Sequence, residues 1–380
     1  MADAAVRPAR LLHLHSSFSL GGKEARAIRL MNVWGDRARH SIVSGVPGDM
    51  GARAAIDAAV AVDYPADVPL IGPMRLSRLR AIATFMAEYD LILSYNWGAM
   101  DGVVAHRLFK RSLNLPPLIH HEDGFNIDEV DRLKTRRNLY RRFGLARVHA
   151  LVVPSVVLEG IALRAWRQPT SRLRLIRNGI DVDHYAMQPA PDAIPGLVRS
   201  RGKLIVGTLA GLRPVKNIRR LVRAVAQHKH RLQLVVVGEG EERDSIMREA
   251  RALGLDDLHM AGFMADPWRF VGVFDIFALS SDSEQFPISL VEAMAAGLPV
   301  ASTDVGDVAN MVATENRPFI VSGADGLADA LGRLAADEGL RRHLGAANRA
   351  RAERDFTERA MVDAYARLYG EALARPDIFR

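Results

Sequence analysis

Residues 273–303 read VFDIFALSSDSEQFPISLVEAMAAGLPVAST, and this stretch decides the fold. Pro287 cannot sit in a helix interior without deleting a hydrogen bond and clashing with the preceding turn. Glu284 and Glu292, with seven residues between them, therefore belong to different local structures. The consistent reading puts Glu284 on a loop, Pro287 in the first turn of a helix, and Glu292 further along that helix, which Gly297 and Pro299 close. VFDIFALSS before it and PVAST after it are short apolar runs of strand type. Strand, loop, helix and strand make a βαβ crossover. In such a unit the loop and the free N–H groups of the helix start form a site for anions, phosphate above all. Two carboxylates beside a phosphate would repel it unless they serve something else. Sugar or ribose hydroxyls fit, because one ionised carboxylate accepts hydrogen bonds from two adjacent hydroxyls. Read singly, either glutamate is also consistent with a solvated surface charge.

The same pattern runs along the chain. RLLHLHSSFS leads through a Gly-Gly turn into GGKEARAIRLMNVW, and YDLILSYN, PPLIHHEDG and ALVVPS are further strands of parallel type. DVDHYAMQPAPDAIPGLVRSRG carries three prolines and loses periodicity, which marks a connector. KLIVGTLAG, RLQLVVVGEG, DLHMAGF, FDIFALSS and PVAST then begin a second series. FTERAMVDAYARLYGEALA is a helix capped by Thr357. The expectation is an α/β protein of two Rossmann-like, doubly wound domains facing across a cleft: 1–182, a linker at 183–202, 203–356, and a last helix at 357–380. Ligands collect at the carboxyl ends of such sheets. Arg213 and Lys216 directly follow a strand, where cations reach a diphosphate; Gly238 and Gly240 end another, allowing close backbone approach.

At 380 residues the chain exceeds one ordinary core. Hydrophobic residues at 49% and charged residues at 25% describe a globular protein, and no run is apolar enough to span a bilayer. The opening MADAAVRPARLLHLHSS is too soon interrupted for a signal peptide, so cytoplasmic placement is expected. Zero cysteines exclude disulfides, thiol catalysis and cysteine-ligated metal. A formal net charge of +7 favours acidic partners, and no nucleic-acid motif accompanies it. RLKTRRNLYRRFGLARVH, residues 132–149, holds seven basic residues on a helical pattern. Such a helix suits an anionic lipid surface at the inner membrane face, or is simply a solvated basic face.

EQFPISLVEAMAAGLPVAST, together with GGKE, IRNGIDVDHY, VVGEGEER and the AGF before FALSSDSEQFP, resembles the retaining family-4 glycosyltransferases over nearly the full length. That family has two Rossmann domains in the arrangement called GT-B and carries an E-x7-E signature. The resemblance implies transfer of a hexose from a UDP- or GDP-linked donor to a hydroxyl of a sugar or lipid-linked acceptor, in polysaccharide or glycolipid synthesis. It implies no cofactor and no metal. The second domain would hold the donor, the first the acceptor, and the last helix would return to the first domain. Glu284 would contact the donor sugar and Glu292 the nucleotide ribose. The backbones of Phe286 and Ile288 would face sugar or diphosphate, Lys216 would neutralise the diphosphate, and Gly21 and Gly22 would let the first domain approach it.

Two positions depart from the family pattern. Relatives carry arginine directly after the glycine that precedes the lysine, whereas here Gly211 and Leu212 come before Arg213. Relatives also place histidine before the glycine of the PPLIHHEDGF loop, where this chain has Asp123, with His120 and His121 just upstream. Arg213, Asp123 and His121 are the candidates to take those roles. A sugar-nucleotide epimerase of the same fold, a larger phosphorylase with pyridoxal phosphate, and a catalytically silent nucleotide-sugar-binding protein are the alternatives.

Overall fold

The apolar runs become parallel strands in the computed structural model, which describes residues 7–19, 21–46, 48–125, 129 and 133–380. Two compact units form: Met1–Arg177 together with Met361–Arg380, and Asn178–Ala360.

In the first unit the strands are β1 (Ala9–His15), β2 (Ala38–Ser44), β3 (Val62–Asp63), β4 (Leu91–Tyr95), β5 (Leu118–His121), β6 (Ala150–Val153) and β7 (Leu173–Leu175). They form one parallel sheet in the order β3-β2-β1-β4-β5-β6-β7. Because neighbouring side chains of a strand point to opposite faces, a sheet covered on both sides needs nearly continuous apolar strands. Leu11, Leu93, Ile119 and Val152 fill one face under α1 (Gly22–Trp34). Leu12, Leu14, Ile92, Leu118 and Leu151 fill the other, under α2 (Leu76–Met86), α3 (Met100–Phe109) and α5 (Val156–Arg164). Each fully buried leucine is worth about 2 kcal/mol of transfer free energy. The basic helix α4 (Thr135–Gly144) buries Arg141 and Gly144 and leaves Leu139 and Phe143 exposed. Of the 132–149 segment, residue 132 lies outside the described residues.

The second unit contains β8 (Leu204–Leu209), β9 (Leu232–Val237), β10 (Leu258–Gly262), β11 (Ile276–Leu279), β12 (Val300–Thr303) and β13 (Ile320–Val321), again parallel, in the order β10-β9-β8-β11-β12-β13. Its helices are α6 (Ile218–Ala226), α7 (Arg243–Ala252), α8 (Ile288–Ala295), α9 (Val308–Met311), α10 (Gly323–Ala336) and α11 (Glu338–Asp355). The last helix, α12 (Glu358–Ala372), buries Met361, Tyr365, Leu368 and Tyr369 in the core of the first unit.

The stretch 183–202 is not a free connector. Tyr185 and Ile194, with Val182 just before them, are buried in the second unit beside Leu290 and Phe270, because this irregular segment has enough apolar side chains to cover one face of that sheet. Pro287 is the N-cap of α8 rather than its first residue, with extended backbone at φ −68° and ψ 113°.

Candidate functional site

A doubly wound sheet opens a crevice where its strand order reverses. In the second unit that point lies between β8 and β11, neighbours in the sheet although far apart in sequence. The loops leaving their carboxyl ends are laced together. The Asp282 amide donates to the Val215 carbonyl at 2.8 Å, the Ser280 hydroxyl to the Lys216 carbonyl at 3.1 Å, and the Arg220 guanidinium to the Ser280 carbonyl at 2.9 Å. Arg220 also pairs with Asp282 at 2.6 Å. Asn217 caps α6 from the left-handed region at φ 44°. Thus the backbone between Lys216 and α6 is fixed.

Upon this frame the Lys216 ammonium reaches the Glu284 carboxylate at 2.5 Å. The Ser281 hydroxyl donates to the same oxygen at 2.7 Å, and the Thr303 hydroxyl holds the Ser281 carbonyl at 2.7 Å. An ammonium has three donors, so Lys216 can keep Glu284 and take a phosphate oxygen at once. Behind Glu284 stands Gly306, at φ 56°, where a Cβ would overlap the Glu284 carbonyl. No side chain caps the start of α8. Phe286 sends its ring into the core against Phe356, 5.6 Å between centroids. Ile288 begins the helix, and Arg213 is exposed at the rim of the 213–216 turn.

Glu292 is half-buried on α8, and burial lifts its carboxyl to about 7, the nearby Tyr185 hydroxyl acting in the opposite sense. Gly238 and Gly240 do permit a close approach, but to the neighbouring loop. A Cβ on Gly238 would strike the Ala210 carbonyl, one on Gly240 the Leu212 carbonyl at 2.5 Å, and the Gly238 amide is spent on Gly262 at 2.8 Å.

In the first unit the order reverses between β1 and β4. Gly21, extended at φ −151°, is the N-cap of α1, and Gly22 begins it. Asp123 follows β5, and its amide donates to the Asn96 side-chain oxygen at 2.7 Å. Its carboxylate takes both arms of the buried Arg26 guanidinium, the second at 2.8 Å. Burial is the largest influence and raises the Asp123 pKa, but the charge and hydrogen bonds of Arg26, with smaller help from neighbouring cations, together outweigh it and hold the carboxyl below its ordinary value. That makes it a weak base.

His121 cannot serve as a base where the chain puts it. It is buried, stacked 4.6 Å from Tyr95, with Nδ1 bonded to the Ser94 carbonyl at 3.2 Å and Nε2 to the Tyr369 hydroxyl at 2.8 Å. Burial, aided by Arg26, pulls it down to about 3. Its role is to hold α12 against the sheet. His120 likewise bonds the Ser94 hydroxyl at 2.9 Å.

Sequence reading missed Ser281, Thr303, Gly306, Tyr185, Arg26 and Asn96. Only Gly306, in the DVGDV turn after PVAST, left a local signal. Among the described residues no group of three His, Asp or Glu side chains is placed to hold a metal ion.

The family model for "Glycosyl transferases group 1" matches residues 192–351, the span that contains Lys216, Glu284 and Glu292. The D-inositol 3-phosphate glycosyltransferase of Corynebacterium jeikeium is 30% identical over 315 residues, covering 75% of this chain and 73% of the relative. Its Xylanimonas cellulosilytica namesake is 30% identical over 229 residues, covering 54% and 53%, so the chain spans about half the length of that relative. In structure, Anabaena HepE in complex with UDP superposes with a TM-score of 0.79 at 20% identity, over 95% of this chain and 100% of that one. The doubly wound fold is common to both, and sequence identity extends well beyond the Lys216–Glu284 segment into the rest of the chain. This chain belongs to the group 1 glycosyl transferases.

Proposed function

We propose that the chain moves a hexose from a nucleoside diphosphate sugar, UDP- or GDP-linked, to an acceptor hydroxyl with retention of configuration, in the building of a polysaccharide or glycolipid. The carrying observation is the Lys216–Glu284–Ser281 constellation beside an uncapped helix start at the strand-order reversal. Departure of a diphosphate needs positive charge and N–H dipoles in place before the bond breaks. Lys216, Arg213 and the first amides of α8, at Ile288 onward, supply them, and Glu284 orients the sugar hydroxyls. The bond from the anomeric carbon to the diphosphate oxygen breaks, the acceptor oxygen bonds to that carbon on the same face, and the acceptor proton passes to the leaving phosphate. Because the cations stand where a divalent ion would, turnover is expected to proceed without one. Glu292 takes the ribose, Gly21 and Gly22 serve the donor diphosphate, Asp123 serves the anomeric end of the donor sugar, and the first unit takes the acceptor.

The test is release of nucleoside diphosphate from a panel of UDP- and GDP-sugars, with strong chelator and without added acceptor. Slow hydrolysis of one donor supports the reading. Loss in chelator with rescue by magnesium or manganese would remove the metal-free step. Binding with no turnover under any condition would leave a silent nucleotide-sugar binder, and production of an epimer would point to the other enzyme.

A cytoplasmic place at an anionic bilayer is a second reading. It is favoured by α4, where Leu139 and Phe143 are 58% and 42% exposed beside exposed Arg136 and Arg142. Apolar side chains flanked by arginines suit an anionic lipid surface and a lipid-linked acceptor. Sedimentation with anionic vesicles but not neutral ones is expected, and Leu139→Glu with Phe143→Glu should abolish it.

A further inference from the structure

Asp123 follows β5 in the first unit and is tied down twice. Its backbone amide donates to the Asn96 side-chain oxygen at 2.7 Å, and Asn96 is itself fixed after β4, with φ 56° and its amide bonded to the His121 carbonyl at 2.8 Å. The Asp123 carboxylate meets Arg26 of α1, whose two terminal nitrogens take one oxygen each, Nη1 to Oδ1 and Nη2 to Oδ2, the latter at 2.8 Å. The guanidinium is buried in turn, its carbon 5.7 Å from the centre of the Tyr365 ring of α12. We propose that Arg26 is a positioning residue, whose fork sets the plane of the Asp123 carboxylate and keeps it presented to the donor sugar. This rests on the reading above that Asp123 serves the anomeric end of that sugar.

The physical case has two parts. A carboxylate has about four lone pairs, and a fork that takes one from each oxygen leaves one on each for hydroxyls. The paired bonds also stop rotation about the last torsion of the side chain, so the ordering that sugar binding would otherwise require is complete beforehand. The second part is charge. A carboxylate opposes the positive charge that grows on the anomeric carbon as the diphosphate leaves, and only the ionised form does so. Burial pushes Asp123 up, and Arg26 is the largest influence against it, with help from His121 and Lys23. Without the guanidinium the same burial would favour the neutral acid.

Among the described residues the other titratable groups near Asp123 do not stand in for Arg26. In α1, Lys23 is bonded to the Glu24 carboxylate and donates to the Ser17 carbonyl at 3.3 Å. β1 brings His15, whose Nδ1 lies 4.0 Å from Glu24, and His13, bonded to Tyr95 of β4 at 3.1 Å. β5 brings His121, α12 brings Tyr365 and Tyr369, and β6 brings none. Glu122, next in the chain, pairs with Arg141 of α4 at 3.1 Å. Burial keeps these histidines neutral and these tyrosines protonated near neutral pH.

The experiment is steady-state release of nucleoside diphosphate by the full chain, from whichever donor of the UDP- and GDP-sugar panel turns over fastest. The variants are Asp123→Asn, Arg26→Lys, the two combined, and Arg26→Met. Asp123→Asn should lower kcat by about tenfold to a hundredfold, the value of bonds to a charged group, and leave the Kd for the bare nucleoside diphosphate within about twofold. Lysine keeps the charge and loses the fork, so Arg26→Lys should lower kcat about three- to tenfold with KM nearly unchanged, and should add no further loss to Asp123→Asn. In Arg26→Met the rate relative to the parent should be lowest at about pH 6 and recover toward about pH 9, as the carboxyl that burial has raised ionises again. Where Arg26→Met fails to fold, the cycle of Arg26→Lys with Asp123→Asn decides alone. Losses in that cycle that multiply, or an Arg26→Lys loss that falls on KM, would make Arg26 a plain tie between α1 and the loop after β5. So would an Arg26→Met rate ratio that is flat with pH. Parental turnover in Asp123→Asn overturns the anomeric reading beneath this inference, and a panel in which no donor turns over overturns both.

Discussion

On the proposed reading Glu292 must lie half-buried on α8 and still be charged enough to accept ribose hydroxyls, and these demands conflict. Its folded pKa of about 7 stands above the 4.5 of the free side chain, so folding favours the neutral form. The stabilisation this gives is complete below about 4.5 and is lost as pH rises through about 7; above that the free protein carries an ionised group it would fold better without. Glu292→Gln should therefore be more stable than the parent at pH 8, by about 2 kcal/mol, and equal to it near pH 4. Thermal melts at the two pH values check this, and a variant no more stable at pH 8 would mean that the carboxylate is well solvated. Glu284 faces no such conflict, since Lys216 and Ser281 hold its oxygen. Glu284→Gln should keep the fold and raise the barrier to sugar transfer by about 1.5 to 3 kcal/mol, with affinity for the bare nucleoside diphosphate nearly unchanged. Steady-state kinetics and calorimetry on one preparation decide it. Equal loss of nucleotide affinity would move Glu284 to the ribose side.

Elements set these residues in place through contacts that are long in sequence. Gly306 closes the turn after β12 and lets it lie on the Glu284 backbone, with the Asp307 amide donating to the Gln285 carbonyl at 3.2 Å. Gly306→Ala meets both a positive φ and the Glu284 carbonyl, so we expect a loss of about 1 to 2 kcal/mol in stability and a larger proportional loss in turnover. Wild-type turnover in that variant would show that the loop is free to shift. Contacts of this kind explain what could be read in advance. The strands β1, β4, β5, β6, β8, β9, β11 and β12 can be read in the sequence because each carries at least two consecutive apolar residues of the core. The strands β3, β7 and β13 are two or three residues long and take their form from a neighbour, while β2, ARHSIVS, mixes polar side chains into its run. The EQFP segment exposes Glu284 and Glu292 through local spacing. Arg26 and Asp123 stand 97 residues apart, and nothing near either one announces the other. His121 misled for the same reason: its partners, Ser94 and Tyr369, come from elements distant in sequence.

Across the whole molecule the two units differ in how they meet acid. In the first, burial depresses His13 and His15 well below their usual range, His40 and His106 to about 4 and His121 to about 3. The stability these neutral side chains give is present above about 6.5 and is lost as pH falls toward 4, because the unfolded chain takes up protons the folded one refuses. Amide protection in β1, β2 and β4 should therefore disappear between pH 6 and 4, before that in β8 and β9. Hydrogen exchange read strand by strand tests this, and simultaneous loss would contradict it. The first unit also draws its core from two separated pieces of sequence. Met361, Tyr365 and Tyr369 cover one face of a sheet whose strands are finished by Leu175. The ribosome makes residues 178–360 in between, and at about 5 to 20 residues per second that takes about 10 to 40 seconds. Through that interval the unit begun first waits with Leu11, Leu93 and Ile119 short of their cover, while the unit begun second has all its parts. The unit begun first is thus the unit completed last, its core open on the α12 side until that helix emerges.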